Sequence, residues 1–230
     1  MIAHVRIVRC TATPSPAVRD ILAKTLTPDE RDKRARFVRA IDADRFLVGR
    51  GTLRIEVGRM LGIAPRDVAI EYGDHDKPLV VGGLPHVNVS HAGDVVLVAL
   101  TRDTAIGVDV ERIDDRFVEP GIIELSFSSQ EIRDLAQLPE ALRVSAFFHV
   151  WACREAVIKA VGAGFSMPRE SFDVRVDPRL PPLVTATHAP LPAFHLQSIA
   201  VAAGHVAMLA TVDAAAVDIT LVDNPQYDGV

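Results

Sequence analysis

Residues 2–8 (IAHVRIV) alternate apolar and polar positions, and a period of two predicts a strand with one buried face. The period then lengthens. Residues 28–40 and 42–61 read as helices. In the second, Phe46, Leu47, Leu53, Val57, Met60 and Leu61 form an apolar stripe, and Gly62 stops it. Short alternating runs return at 68–72, 86–90, 94–101 and 105–111 and predict four more strands.

The second half repeats this order. A helical pattern spans roughly 140–161, closed by Gly162 and Gly164, and strands are expected near 172–176, 194–202 and 205–212. Three short matches recur in register. APRDVAIEY (64–72) resembles MPRESFDVRV (167–176), DKPLV (76–80) resembles LPPLV (180–184), and GDVVLVALT (93–101) resembles GHVAMLATV (204–212). The expected fold class is α+β. It has two similar halves, 1–104 and 105–230, about a pseudo-twofold axis, with a ligand cleft between them. The Pro-rich stretch 178–192 reads as a surface loop of the second half, not a linker.

Composition changes this picture little. The chain has 230 residues, 49% hydrophobic and 24% charged, which is an ordinary globular mixture. A net charge of -5 gives no global attraction to nucleic acid. Basic residues nevertheless crowd between Arg31 and Arg59, either as an anion site or as a solvated helix face. Cys10 and Cys153 fit neither a disulfide framework nor a zinc spacing. The first ten residues lack the apolar core of a signal peptide, and no apolar run approaches the ~20 residues that span a bilayer. A reduced, cytoplasmic protein without a membrane partner is expected.

Candidate chemistry starts at IGVDVERI (106–113). Ile106, Val108 and Val110 alternate with Gly107, Asp109 and Glu111, so two carboxylates share one strand face. A polar sheet edge would explain them; so would a bound cation. In the helix FFHVWACREAVIKAVGAG (147–164), Val144, Phe147, Phe148, Trp151 and Ile158 share an apolar stripe, and Glu155 falls in its middle. A carboxylate there is costly unless paired, protonated or metal-bound. Lys159, four residues on, offers a helix ion pair. Asp109, Glu111 and Glu155 together offer three oxygen ligands for a hard divalent cation such as Mg²⁺. HVNVSHAGD (86–94) ends a strand in Ser90 and His91, which would either grip a phosphate or face solvent. Lys77 before the rigid Pro78 marks a turn.

IGVDVERI followed some forty residues later by WACREAVIKAVGAGF resembles the paired signature of the 4′-phosphopantetheinyl transferase superfamily. YGDHDKP, VNVSHAG and FSSQE (127–131) resemble further motifs of its larger, surfactin-synthetase-activating type, and the resemblance runs from about residue 28 to 176. It implies a monomeric pseudo-dimer that binds coenzyme A between its halves. Asp109, Glu111 and Glu155 would hold Mg²⁺. Lys33, Lys77, Pro78, Ser90, His91, Asp109 and Lys159 would contact coenzyme A. Glu155, Lys159 and Glu131 would be catalytic, with Glu155 or Glu131 as base. The arm would pass to a serine of an apo acyl or peptidyl carrier protein, releasing 3′,5′-ADP. Departures from the family pattern are Arg154 for Lys, Ala152 for Ser or Thr, Asp76 for Gly, and Glu30 at a basic position. Asp76, Glu30 and Ala152 motivate a coenzyme-A-binding protein without transfer activity as an alternative. A Mg²⁺-dependent hydrolase of the coenzyme A pyrophosphate is another.

Overall fold

The computed structural model describes residues 1–73, 77–225 and 227, so Asp76 lies outside the described residues. The first half runs β1 (Ile2–Thr11), α1 (Pro16–Thr25), α2 (Pro28–Ala35), α3 (Ala40–Leu61), then β2 (Ile70–Tyr72), β3 (Pro78–Val80), β4 (His86–Ala92) and β5 (Val95–Thr101). The second half runs β6 (Ile106–Arg112), α4 (Pro120–Ser126), α5 (Ser129–Gln137), α6 (Glu140–Val161), then β7 (Phe172–Val174), β8 (Val184–Thr187), β9 (Phe194–Ser198) and β10 (His205–Val212). Each half is thus a strand, three helices and two pairs of strands. A last strand, β11 (Ala216–Asp223), follows.

The strand orders repeat as well. One sheet is ordered β11-β1-β5-β4 and the other β6-β10-β9, and each half adds a small two-stranded pair, β2-β3 or β7-β8. β11 returns to the first half's sheet and pairs in parallel with β1, Ile2 opposite Ala216. Alternation sorts each strand's side chains between two layers. Val5 and Ile7 of β1, Leu97 of β5, Val108 of β6 and Leu209 of β10 fill the layer between the sheets. Val8, Val96 and Val98 turn the other way, onto Leu47, Leu53 and Val57 of α3. Met208 and Ala210 turn onto Phe147, Val150 and Val157 of α6.

Both long helices end as the sequence predicts, on a left-handed glycine: Gly62 with φ 71 and Gly162 with φ 73. Helices α1, α4 and α5 and strands β3, β8 and β11 are additional to the sequence reading. Within 178–192, expected as a loop, residues 184–187 form β8. Among the described residues, no helix is long and apolar enough to cross a membrane.

A buried ion pair also recurs. Thr27 and Glu30 form a capping box at the start of α2, and Ser128 and Glu131 form one at the start of α5. Each glutamate then meets an arginine from the long helix of its own half: Arg54 Nε lies 2.7 Å from Glu30, and Arg154 Nη1 lies 2.9 Å from Glu131. Arg54 also donates to the carbonyls of Pro65 and Val68, and Arg154 to those of Arg169 and Phe172. The pairs fasten a short helix and a following loop to each long helix.

This changes the reading of two residues. Glu30 is not at a phosphate-facing position, because Arg54 and Arg50 neutralise it inside the first half. Arg154 is likewise only 3% exposed and serves the fold. Removing one partner of a buried pair strands the other charge and costs about 3–5 kcal/mol. Arg54→Met is therefore expected to lower the urea unfolding free energy by about 3 kcal/mol; wild-type stability would contradict this role.

Candidate functional site

The apolar face of β6 points into the layer between the sheets, so Gly107, Asp109 and Glu111 face helix α6 rather than solvent. Gly107 makes this possible. A Cβ built there would sit 2.1 Å from the Ala156 carbonyl oxygen and 2.4 Å from the Ala160 nitrogen, both rigid helix backbone. Glycine lets the helix lie directly on the strand, two residues from Asp109. Asp109 is 2% exposed, which rules out the polar-edge reading for this residue.

Lys159 of α6 closes on that carboxylate. Its ammonium donates to Asp109 Oδ1 at 2.6 Å and to Ser90 Oγ at 3.1 Å. The Ser90 hydroxyl donates to the same Oδ1 at 3.0 Å and accepts from the Val110 amide at 3.2 Å. Lys159 therefore reaches across to the strand rather than pairing with Glu155 on its own helix. Asp109 Oδ2 is buried and, among the described residues, has no hydrogen-bond partner. A buried carboxylate oxygen left this way has an unused acceptor.

Glu111 and Glu155 stand within electrostatic reach of Asp109. Burial pushes Glu111 up to about 7, helped by Asp109 and Glu155 and opposed by Lys159 and Trp151. Burial also raises Glu155; Lys159 opposes the shift and Asp109 adds to it. Like charges gathered beside one lysine gain from any further cation. As they stand, no three His, Cys, Asp or Glu side chains among the described residues converge closely enough to hold a metal ion. The donor set itself, three carboxylates with one free buried oxygen, has the chemistry of a hard-cation site.

Beside this cluster lies a cleft in two connected parts. The larger, ≈ 630 Å³, has Glu111, Arg112, Arg116, Phe147, Phe148 and Trp151 among its walls. The smaller, ≈ 290 Å³, has Lys33, Phe46, Arg50, Tyr72 and Pro78. Asp42, Arg45 and His91 belong to both. Arg45 is held by Asp42 at 3.0 Å and by the Gly93 carbonyl, so its guanidinium is fixed in the wall. Lys33 sits over the Tyr72 ring at 4.7 Å and near the Phe46 ring at 5.8 Å. Arg50 donates to the Tyr72 hydroxyl at 2.9 Å, while its buried Nη1 has no partner among the described residues. His91 loses basicity through burial first and then through Arg45 and Lys159. Cations and aromatic faces along one trough suit an anionic, ring-bearing ligand.

The structure thus places Lys33, Pro78 and His91 in the cleft wall and brings Ser90, Asp109 and Lys159 into direct contact. Three expectations change. Glu131 is 0% exposed; its oxygens accept from Arg154, the Ser128 amide and the Val174 amide, so it is sealed from substrate and cannot serve as base. Ser90 commits its hydroxyl to Asp109, Lys159 and Val110, so it organises the cluster instead of gripping phosphate. Lys77 spends its Nζ on the carbonyls of Ile106, Lys159 and Ala160 rather than holding it free for a phosphate. Sequence reasoning missed Arg45, Arg50, Arg112 and Arg116. The first two belong to the basic run from Arg31 to Arg59, the only signal that pointed to them.

Known proteins match this architecture half by half. Residues 12–103 match the family described as 4′-phosphopantetheinyl transferase, N-terminal, and residues 105–210 match the 4′-phosphopantetheinyl transferase superfamily. The chain belongs to the 4′-phosphopantetheinyl transferase superfamily, and it is a transferase enzyme of the larger, two-unit type. It is similar to a 4′-phosphopantetheinyl transferase of Bacillus subtilis, with 30% identity over 68% of this chain and 69% of the relative. A 4′-phosphopantetheinyl transferase of Bacillus pumilus is 33% identical over 73% of this chain and 76% of its own. The transferase Sfp of Bacillus subtilis strain 168 is 32% identical over 66% of each chain.

Gly107→Ala is expected to lower the unfolding free energy by about 1–3 kcal/mol, since helix backbone cannot yield to the new methyl. An unchanged urea midpoint would contradict the close packing. Glu131→Gln is expected to lose stability on the scale of a broken buried pair, about 3 kcal/mol, with turnover per folded molecule retained. Normal stability with lost turnover would restore Glu131 as the base.

Proposed function

We propose that this transferase moves the 4′-phosphopantetheine arm of coenzyme A onto a serine of an apo acyl or peptidyl carrier protein, releasing 3′,5′-ADP. The observation that carries the reading is the Ser90–Asp109–Lys159 cluster with Asp109's spare buried oxygen, two strand positions from Glu111, which lines a basic, aromatic cleft. Lys33, Arg50 and His91 supply charge and ring faces for the adenosine end and its phosphates. Arg45 in the cleft wall and Lys159 beside Asp109 would neutralise the pyrophosphate near Glu111.

Asp109, Glu111 and Glu155 would hold Mg²⁺, which when bound withdraws charge from the pyrophosphate. The remaining work falls to the chain. Phosphoryl transfer depends on positioning and on neutralising charge. The cleft would serve to align the β-phosphorus with the incoming serine hydroxyl. That oxygen bonds to phosphorus as the bond to the 3′,5′-ADP oxygen breaks. The serine proton passes to Glu155, directly or through one water. Lys159 has one N–H beyond those given to Asp109 and Ser90, and it donates to a departing phosphate oxygen as negative charge gathers there. One chain supplies every residue of this site, in keeping with a monomeric pseudo-dimer.

Incubation with coenzyme A, Mg²⁺ and an apo carrier protein is expected to add one phosphopantetheine by intact mass. Asp109→Asn and Glu155→Gln are each expected to cut the rate about 100-fold or more with unchanged circular dichroism. Near wild-type transfer by either variant would remove the carboxylates from the chemistry. No addition on any carrier protein of a broad panel would overturn the transfer reading.

A further inference from the structure

Lys77 is the residue whose position departs furthest from expectation, and its surroundings assign it another task. Its Nζ lies 2.5 Å from the Lys159 carbonyl oxygen, 3.3 Å from that of Ala160 and 3.3 Å from that of Ile106. An ammonium has three donors; each meets a carbonyl, and none is left for a phosphate. Two acceptors belong to the last turn of α6, where backbone carbonyls have no helical partner and the helix dipole favours a cation. The third opens strand β6, three residues before Asp109, whose carboxylate Lys159 holds.

We propose that Lys77 is a positioning residue that clamps the end of helix α6 to the start of strand β6 and so holds Lys159 and Glu155 against Asp109. The clamp crosses between the halves, because Lys77 belongs to the β2–β3 segment of the first half while α6 and β6 belong to the second. Its own backbone is anchored: the Gly73 amide donates to the Lys77 carbonyl at 2.9 Å, and Pro78 follows in β3. Tyr72 and Pro78, at the two ends of that segment, line the smaller part of the cleft. The wall that would meet the adenosine end is therefore tied, through one side chain, to the helix that carries Lys159. Burial lowers the Lys77 ammonium to about 8.

The effect on catalysis rests on the transfer reading above, whereas the clamp itself does not. Lys77→Met is therefore measured in two ways. In the ligand-free chain, amide hydrogen exchange over residues 158–162 is expected to speed up relative to the rest of α6. In the transfer assay, kcat is expected to fall about tenfold or more while the calorimetric Kd for coenzyme A changes by less than about threefold. Unchanged exchange in that turn overturns the clamp whether or not the protein transfers anything. A Kd weakened about tenfold at constant kcat overturns it in favour of a phosphate contact. Should Lys77→Met fail to fold, ¹⁵N NMR of the wild-type Lys77 ammonium decides the matter. Its titration midpoint is expected to stay in place on adding coenzyme A; a rise of about one unit would mark an adjacent phosphate and overturn the proposal.

Discussion

Everything at the site depends on how closely helix α6 lies on strand β6. Gly107 sets that distance, because any side chain there would run into the helix backbone at Ala156 and Ala160. The contact brings one turn of α6, with Glu155 and Lys159, over the strand face that carries Asp109 and Glu111. It also buries Asp109, and burial makes its charge consequential. In water the carboxylate would be solvated and indifferent. Packed against a helix, it must be neutralised, and Lys159 with Ser90 neutralises only one of its oxygens.

The duplicated scaffold accounts for what is structural and what is not. Both halves use the same device, a capping-box glutamate gripping an arginine of the long helix, to fix a short helix and a loop in place. Glu30 with Arg54 and Glu131 with Arg154 are thus copies of one brace, one in each half. The functional cluster has no such duty, and it gathers where the halves meet. There β4 and β6 belong to different sheets, and side chains of β4 substitute for a backbone ladder: Asn88 accepts from the Val108 amide and Ser90 from the Val110 amide. The seam is therefore polar by construction, and a polar, partly unsatisfied seam beside a cleft is where charge chemistry can be placed.

Much of this was legible in residue order. Periodicity located both long helices and the main strands, and internal matches revealed the duplication before any strand order was known. Alternation in IGVDVERI put Asp109 and Glu111 on one face; the helical wheel put Glu155 on an apolar stripe, but that stripe is only partly buried at Trp151, Glu155 and Ile158, and the core face of α6 runs through Val150, Cys153 and Val157. Direction was not legible. A motif says that a lysine stands before a proline, but not that its ammonium turns into the end of a distant helix, as that of Lys77 does. Nor does it say that Glu30 and Glu131 face inward, because burial of a charge depends on a partner far along the chain. The short helices α1, α4 and α5 escaped notice because their few turns carry too little pattern, and tertiary contact rather than propensity holds them. Arg112 and Arg116 reach the cleft only through the path the chain takes after β6.

The proposed Mg²⁺ site requires Asp109, Glu111 and Glu155 to share one cation at the seam. A crystal structure of the chain with coenzyme A and Mn²⁺, read by anomalous scattering, is expected to show a single anomalous peak within reach of all three carboxylates and the coenzyme A pyrophosphate. Bound coenzyme A with its pyrophosphate elsewhere and no anomalous peak among the three carboxylates would contradict that site.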